Sequence, residues 1–148
     1  MSRLLPEWVR PGAEALLVWG SRNEHVERVS VTRITPSGQV VVTGNSRGER
    51  RFMMRDFLAD GTAQRYEGGP SAGFASIRYL YPLDNPRVPW LLAQEEYRVA
   101  WNRVRRGMDR LQKAEEREGL GDPLQYAAAL VDALNAWRRA KENLAALS

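Results

Sequence analysis

The single histidine, His25, is the side chain whose charge ordinarily changes closest to neutral pH, and it stands between Glu24 and Glu27. Work as a general base or metal ligand would need a second group held within hydrogen-bond reach. A place at a loop-to-strand junction points instead to an exposed imidazole. Asp56, Asp60 and Glu67 supply carboxylates, yet no spacing makes any two of them a pair. The serines lack the Gly-x-Ser-x-Gly turn that exposes a nucleophile. With no cysteine, disulfides, thiolate metal sites and cysteine nucleophiles are excluded together. Gly68-Gly69-Pro70-Ser71-Ala72-Gly73 is the one glycine-rich loop. A phosphate cradle would need a helix N-terminus after it and usually a lysine. A strand is expected to follow and no lysine is near, so this stretch reads as a connector. The sequence therefore predicts no catalytic residues, no metal and no cofactor.

Arginine is the remaining chemistry-bearing residue. Of 22 basic residues only Lys113 and Lys141 are lysine, against 18 acidic ones, and the net charge is +4. A GC-rich coding genome explains that bias; selection for planar, bidentate contact with phosphate or carboxylate is the other explanation. Two clusters stand out. Arg47, Arg50, Arg51 and Arg55 surround a predicted hairpin near Phe52 and Tyr66, a combination that single-stranded nucleic acid can use through charge and stacking. Phe52 also suits a core, alternation puts Arg51 and Met53 on the opposite face, and edge-strand arginines deter sheet-to-sheet aggregation. Arg103, Arg106, Arg110, Lys113 and Arg117 recur at three-and-four spacing and so form one stripe. The stripe could track a phosphate backbone or meet an acidic partner. It also reads as a solvated face laced with local pairs, Arg105 and Arg106 reaching Asp109, and Lys113 reaching Asp109 or Glu116.

The elements that must position these groups are legible from punctuation. Residues 15–19 read as a first strand and 25–35 as a long second one, followed by the Pro36-Ser37-Gly38 turn and a return over 39–43. Shorter strands are expected over 50–54 and 74–81, with Asp60-Gly61 marking a turn between them. About five short strands at such intervals predict a small bent sheet that closes on itself over residues 1–83. Pro86 and Pro89 are expected to hold the next segment extended before a helix. Residues 84–148 read as a long antiparallel αα-hairpin, with helices over about 89–118 and 123–147 around the stop-and-cap sequence Glu118-Gly119-Leu120-Gly121-Asp122-Pro123. The fold class is α+β.

In the first helix Tyr97, Trp101, Val104, Met108 and Leu111 share a face, and Leu92 and Val99 form a second stripe. The second helix has a wide apolar surface that includes Leu124, Leu130, Val131, Leu134, Trp137, Leu144 and Leu147. Two helices cannot hide that much from water by pairing, so either the barrel or a second copy is expected to cover the surplus. Trp90, Trp101 and Trp137 read as packing between helices. If one is an exposed anchor, Trp137 is the choice, with Arg138 and Arg139 as its rim and Leu144 beyond.

The run Val9-Arg10-Pro11-Gly12, a hydrophobic strand, a charged loop, a long valine-rich strand, Pro36-Ser37-Gly38 and a valine-rich return resembles a Src-homology-3-like small barrel of the Tudor and KOW style. Arg51-Phe52, Asp60-Gly61 and Tyr79-Leu80-Tyr81-Pro82 ahead of a helical tail are also similar to small uncharacterised proteins of actinobacterial phages. The resemblance implies binding to peptides, proteins or nucleic acid and brings no catalytic residue. The expectation is a non-enzymatic adaptor, a phage accessory protein engaging a host or phage protein through apolar helical or barrel surface with an arginine rim. Nucleic-acid binding through the two arginine clusters and homodimeric self-assembly through the hairpin are the alternatives. No stretch is long and apolar enough for a membrane span or signal peptide, which predicts a cytoplasmic location.

Overall fold

A computed structural model describes residues 4–20, 25–45, 48–67, 76–116 and 122–147. The chain divides into two compact units, Met1–Val88 and Pro89–Ser148. The first is one antiparallel sheet of six strands, β1 Glu14–Trp19, β2 His25–Ile34, β3 Val40–Thr43, β4 Glu49–Phe52, β5 Ala63–Glu67 and β6 Ser76–Pro82, in the order β4-β3-β2-β1-β6-β5. It curls into a half-barrel, its two edge strands approaching each other without a ladder between them.

The curl follows from β2, which is long enough to pair with both neighbours. Its register against β3 shifts between Val31 and Arg33, a bulge that bends the strand. There Thr32 Oγ1 donates to the Val41 carbonyl at 3.1 Å. Alternation then sends Ala15, Leu17, Val29, Val31, Val40, Val42, Phe52, Ala63 and Leu80 into one buried cluster. Phe52 is in that core as its aromatic, strand-borne position predicts. One side of the cluster is closed by Trp8, whose ring lies 6.3 Å from Phe57 and whose Nε1–H donates to the Gly61 carbonyl at 2.7 Å. Gly61 has φ +86°, and a Cβ there would sit 3.3 Å from Trp8 Nε1, so the turn needs glycine twice over.

The sheet has six strands where the sequence predicts about five. The additional one, β5, pairs with β6 from Ala63↔Leu80 to Glu67↔Ser76. Only Ala63 and Tyr66 in it are apolar, and Tyr66 is exposed, so edge pairing rather than alternation defines it. Between β4 and β5 a single 3-10 turn, Met54–Asp56, replaces the end of the expected fourth strand. Asp56 accepts from the Met53 N–H at 2.6 Å and meets Arg65 Nη1 at 3.5 Å, tying the turn to β5. The segment before the first helix is not extended as its prolines suggest. It makes two turns, Asn85 N–H to the Pro82 carbonyl and Val88 N–H to the Asn85 carbonyl, each at 3.0 Å. The glycine-rich connector at 68–73 lies outside the described residues.

The second unit is the predicted antiparallel hairpin, α1 Val88–Glu116 and α2 Pro123–Ala146. Asp122 caps α2, accepting from Leu124 N–H at 3.0 Å, with Pro123 at the first helical position. The face of α1 that meets α2 is rotated from the one its large residues suggest. Trp101 and Met108 are exposed, whereas Ala100, Val104 and Ala114 are buried. Ala93, Ala100, Gly107 and Ala114 recur every seven residues and lie on one line of the helix, beside a second line of Tyr97, Val104 and Leu111. On α2, Tyr126, Ala133 and Ala140 alternate with Leu130, Trp137 and Leu144 at the same interval. Small residues on one helix thus receive large ones from the other. A Cβ on Gly107 would lie 3.1 Å from Leu130 Cδ1.

Candidate interaction surfaces of the helical hairpin

A seam one heptad line wide leaves two flanks, and the ring contacts and hollows show what each displays. On the first flank Trp137 lies 6.3 Å from Tyr97 and 5.4 Å from Trp101, ring to ring, with Lys141 Nζ 5.3 Å above the Trp137 ring. Helical spacing carries this flank through Met108 on α1 and Leu134 and Val131 on α2. Trp101 is 38% exposed, Met108 46%, Leu134 40%, Val131 55% and, at the end of the same helix, Leu124 74%. The surplus of apolar surface read from the sequence is therefore uncovered along this flank. Its exposed tryptophan is Trp101, not Trp137: the Trp137 ring is half-buried, and its Nε1 is buried without an acceptor among the described residues. Arg138, exposed, sits beside it as a rim, and Arg105 lies across on α1.

The second flank is a groove. Its upper hollow, ≈ 480 Å³, is lined by Glu96, Val99, Ala100, Arg103, Ala136, Arg139, Ala140 and Asn143. Its lower one, ≈ 320 Å³, is lined by Arg103, Arg106, Gly107, Arg110, Tyr126, Ala129 and Ala133. Arg103 is common to both, so they follow one another along the helices. The floor is alanine and glycine, and arginines stand on both walls.

Of the predicted arginine stripe, Arg103, Arg106 and Arg110 line this groove, while Lys113 pairs with Asp109 at 3.0 Å and Arg117 lies outside the described residues. The expected pairing of Arg105 or Arg106 with Asp109 does not form. Of the predicted interface group, Arg139 belongs to the groove and not to the Trp137 rim, and Leu144 is half-buried in the seam. The alanine positions were legible as a seven-residue repeat, but repeats of small residues carry little weight beside tryptophans.

The half-barrel cluster does not gather into one patch. Arg50 lines a hollow on the concave face with Leu17, Trp19, His25, Glu27, Val29, Val42 and Arg78. Arg51 faces the other way, hydrogen-bonding Gln39 Oε1 at 3.0 Å and lying 3.9 Å from Glu49, which also meets Arg33 at 3.4 Å. Arg55 is exposed beside Leu4, Pro6 and Phe57, and Arg47 lies outside the described residues. His25 is not the free surface imidazole expected; it is half-buried and stacks on Trp19 at 5.3 Å. Two groups are displaced in their titration. The Thr62 hydroxyl, and then its backbone N–H, hold the Asp60 carboxyl below its ordinary 3.8. Burial pushes the Tyr81 hydroxyl above 10.0 against the opposing pull of Arg87. Among the described residues no group of histidines and carboxylates is placed to hold a metal ion, and no helix is long and apolar enough to cross a membrane.

Fold and surfaces together define a half-barrel followed in the chain by a helical hairpin with one apolar and one basic flank. The chain matches no protein-family model, no curated protein and no solved structure.

Proposed function

We propose that this chain is a non-enzymatic binding protein whose hairpin engages another protein through the flank formed by Trp101, Met108, Leu134 and Val131. The observation that carries this reading is the run of uncovered large apolar side chains along that flank. Water-exposed apolar surface of this continuity is a drive toward association. A tryptophan at the centre with Arg105 and Arg138 at the edge has the composition of an interface anchor and its rim. The half-barrel fits the same reading, as small barrels of the Src-homology-3-like style bind rather than transform. In a phage accessory protein the partner would be a host or phage protein of the cytoplasm.

The test compares capture of a partner from host lysate by the wild-type chain, by Leu134→Glu and by Arg50→Glu, at low and high salt and after nuclease. Leu134 is exposed, so its replacement leaves the fold intact, which circular dichroism checks. Capture lost only with Leu134→Glu and insensitive to salt and nuclease is the expected result, because apolar burial is not screened by ions. Capture that survives Leu134→Glu, or that disappears with nuclease, would overturn the proposal.

A further inference from the structure

Four arginines, Arg103, Arg106, Arg110 and Arg139, line the opposite flank. Arg98 is held by Glu95 through two hydrogen bonds of 3.0 and 2.6 Å, and Lys113 by Asp109. Arg103, Arg106, Arg110 and Arg139, by contrast, meet no carboxylate among the described residues, although five acidic residues share α1 with the first three. These guanidiniums stand on both sides of a groove whose floor is built from Ala129, Ala133, Ala136 and Gly107. From Glu96 to Arg110 the groove runs about 21 Å, roughly four turns of a helix. A floor of small side chains lets a third helix approach to the roughly 8–10 Å axis separation of packed helices.

We infer that this groove is a docking site for a helix of a partner protein, acidic along the edges that face the two walls. It is a second surface, on the flank opposite the apolar one. Carboxylates at three-and-four spacing on such a helix would reach Arg103, Arg106 and Arg110 in succession on one wall and Arg139 on the other. Guanidinium and carboxylate match as planar, paired donors and acceptors, and each such bond is stronger than a neutral one. The floor suits a helix better than a nucleic-acid strand. It offers no aromatic face between the arginines on which bases could stack, the groove's one ring being Tyr126 at its lower end. The two helices together carry nine basic and seven acidic residues, too even a balance for the field that attracts a phosphate backbone over distance. Glu96 at the upper end sets direction, since an acidic residue of the partner placed there would be repelled.

The experiment uses the full chain and three probes: a synthetic helix-forming peptide with glutamates at three-and-four spacing, polyglutamate of the same charge, and a single-stranded oligonucleotide of the same charge. Backbone amide resonances report the site. The helical peptide is expected to shift Arg103, Arg106, Ala129 and Ala133 while leaving Trp101 and Leu134 in place. Arg103→Glu with Arg106→Glu should weaken it by roughly tenfold or more, and Ala129→Leu, which fills the groove at an exposed position, should do the same. Arg103→Gln with Arg106→Gln, a milder change, should weaken it in the same direction if charge reversal perturbs the helix. Leu134→Glu should leave peptide binding unchanged, so loss of the apolar-flank reading and loss of this one are separate results. No peptide binding, equal binding of polyglutamate, or tighter binding of the oligonucleotide with steep loss in salt would each overturn the inference.

Discussion

Asp60 shows how a single side chain can tie a turn to solution conditions. Its Oδ1 accepts from both the Thr62 N–H at 3.0 Å and the Thr62 hydroxyl at 2.7 Å, beside the glycine whose carbonyl receives the Trp8 indole. Both bonds favour the charged carboxylate, so its pKa in the folded chain lies below 3.8. The sign follows from linkage: the bonds stabilise the fold fully above the unfolded value, and that contribution disappears as pH falls through the folded value. A carboxyl titration by nuclear magnetic resonance should therefore place the Asp60 midpoint below 3.8, and Thr62→Val should move it upward. An Asp60 midpoint unchanged by that substitution would show that Thr62 does not hold the charge. The residue is exposed, so the effect belongs to the turn and leaves the core untouched.

At the scale of elements, the hairpin depends on one unusual choice, a glycine in the middle of a 29-residue helix. Glycine there costs about 1 kcal/mol in helix propensity relative to alanine. Its place in the seam explains its presence, because Leu130 of α2 occupies the space a side chain would need. Gly107→Val should destabilise the hairpin by about 1–3 kcal/mol through overpacking, outweighing the propensity that a side chain would restore. Chemical denaturation measures this, with a lower midpoint and unchanged slope as the expected outcome. A higher midpoint would mean that the Leu130 side chain gives way and the gain in helix propensity outweighs the crowding. The same element explains why two flanks exist: heptad lines of alanine and glycine facing leucine and tryptophan use up little helical surface. The remaining apolar residues and the arginines are left on either side.

For the whole molecule, an uncovered apolar flank raises the question of self-association. Two-fold pairing through that flank would bring each copy's Arg105 and Arg138 toward those of its partner, and the like charges oppose it. Light scattering on the purified chain is thus expected to give the monomer mass of 16.8 kDa, at low salt above all. Twice that mass, abolished by Leu134→Glu, would assign the flank to a second copy instead of a different protein.

Much of this architecture is present in the amino-acid order itself. Prolines, glycines and Asp122 punctuate the chain, so strand and helix ends fall within a few residues of where that punctuation puts them. Alternation, with its period of two, sorts Ala15, Leu17, Val40 and Val42 to one face of the sheet, while Leu16, Val18 and Val41 are buried on the other. The surplus of large apolar residues in the hairpin was also countable without coordinates. What only tertiary structure decided is partnership. β5 exists because β6 offers it a ladder, and its own composition does not demand a strand. Trp101, not Trp137, stands exposed because helix rotation is set by where small residues let the other helix approach. Arg103, Arg106, Arg110 and Arg139 become one site because α2 folds back along α1. Local sequence sets periodicity and chain reversal, which depend on neighbours a few residues away; the facing of one element toward another depends on shape fitting shape across the fold, and no local pattern contains that.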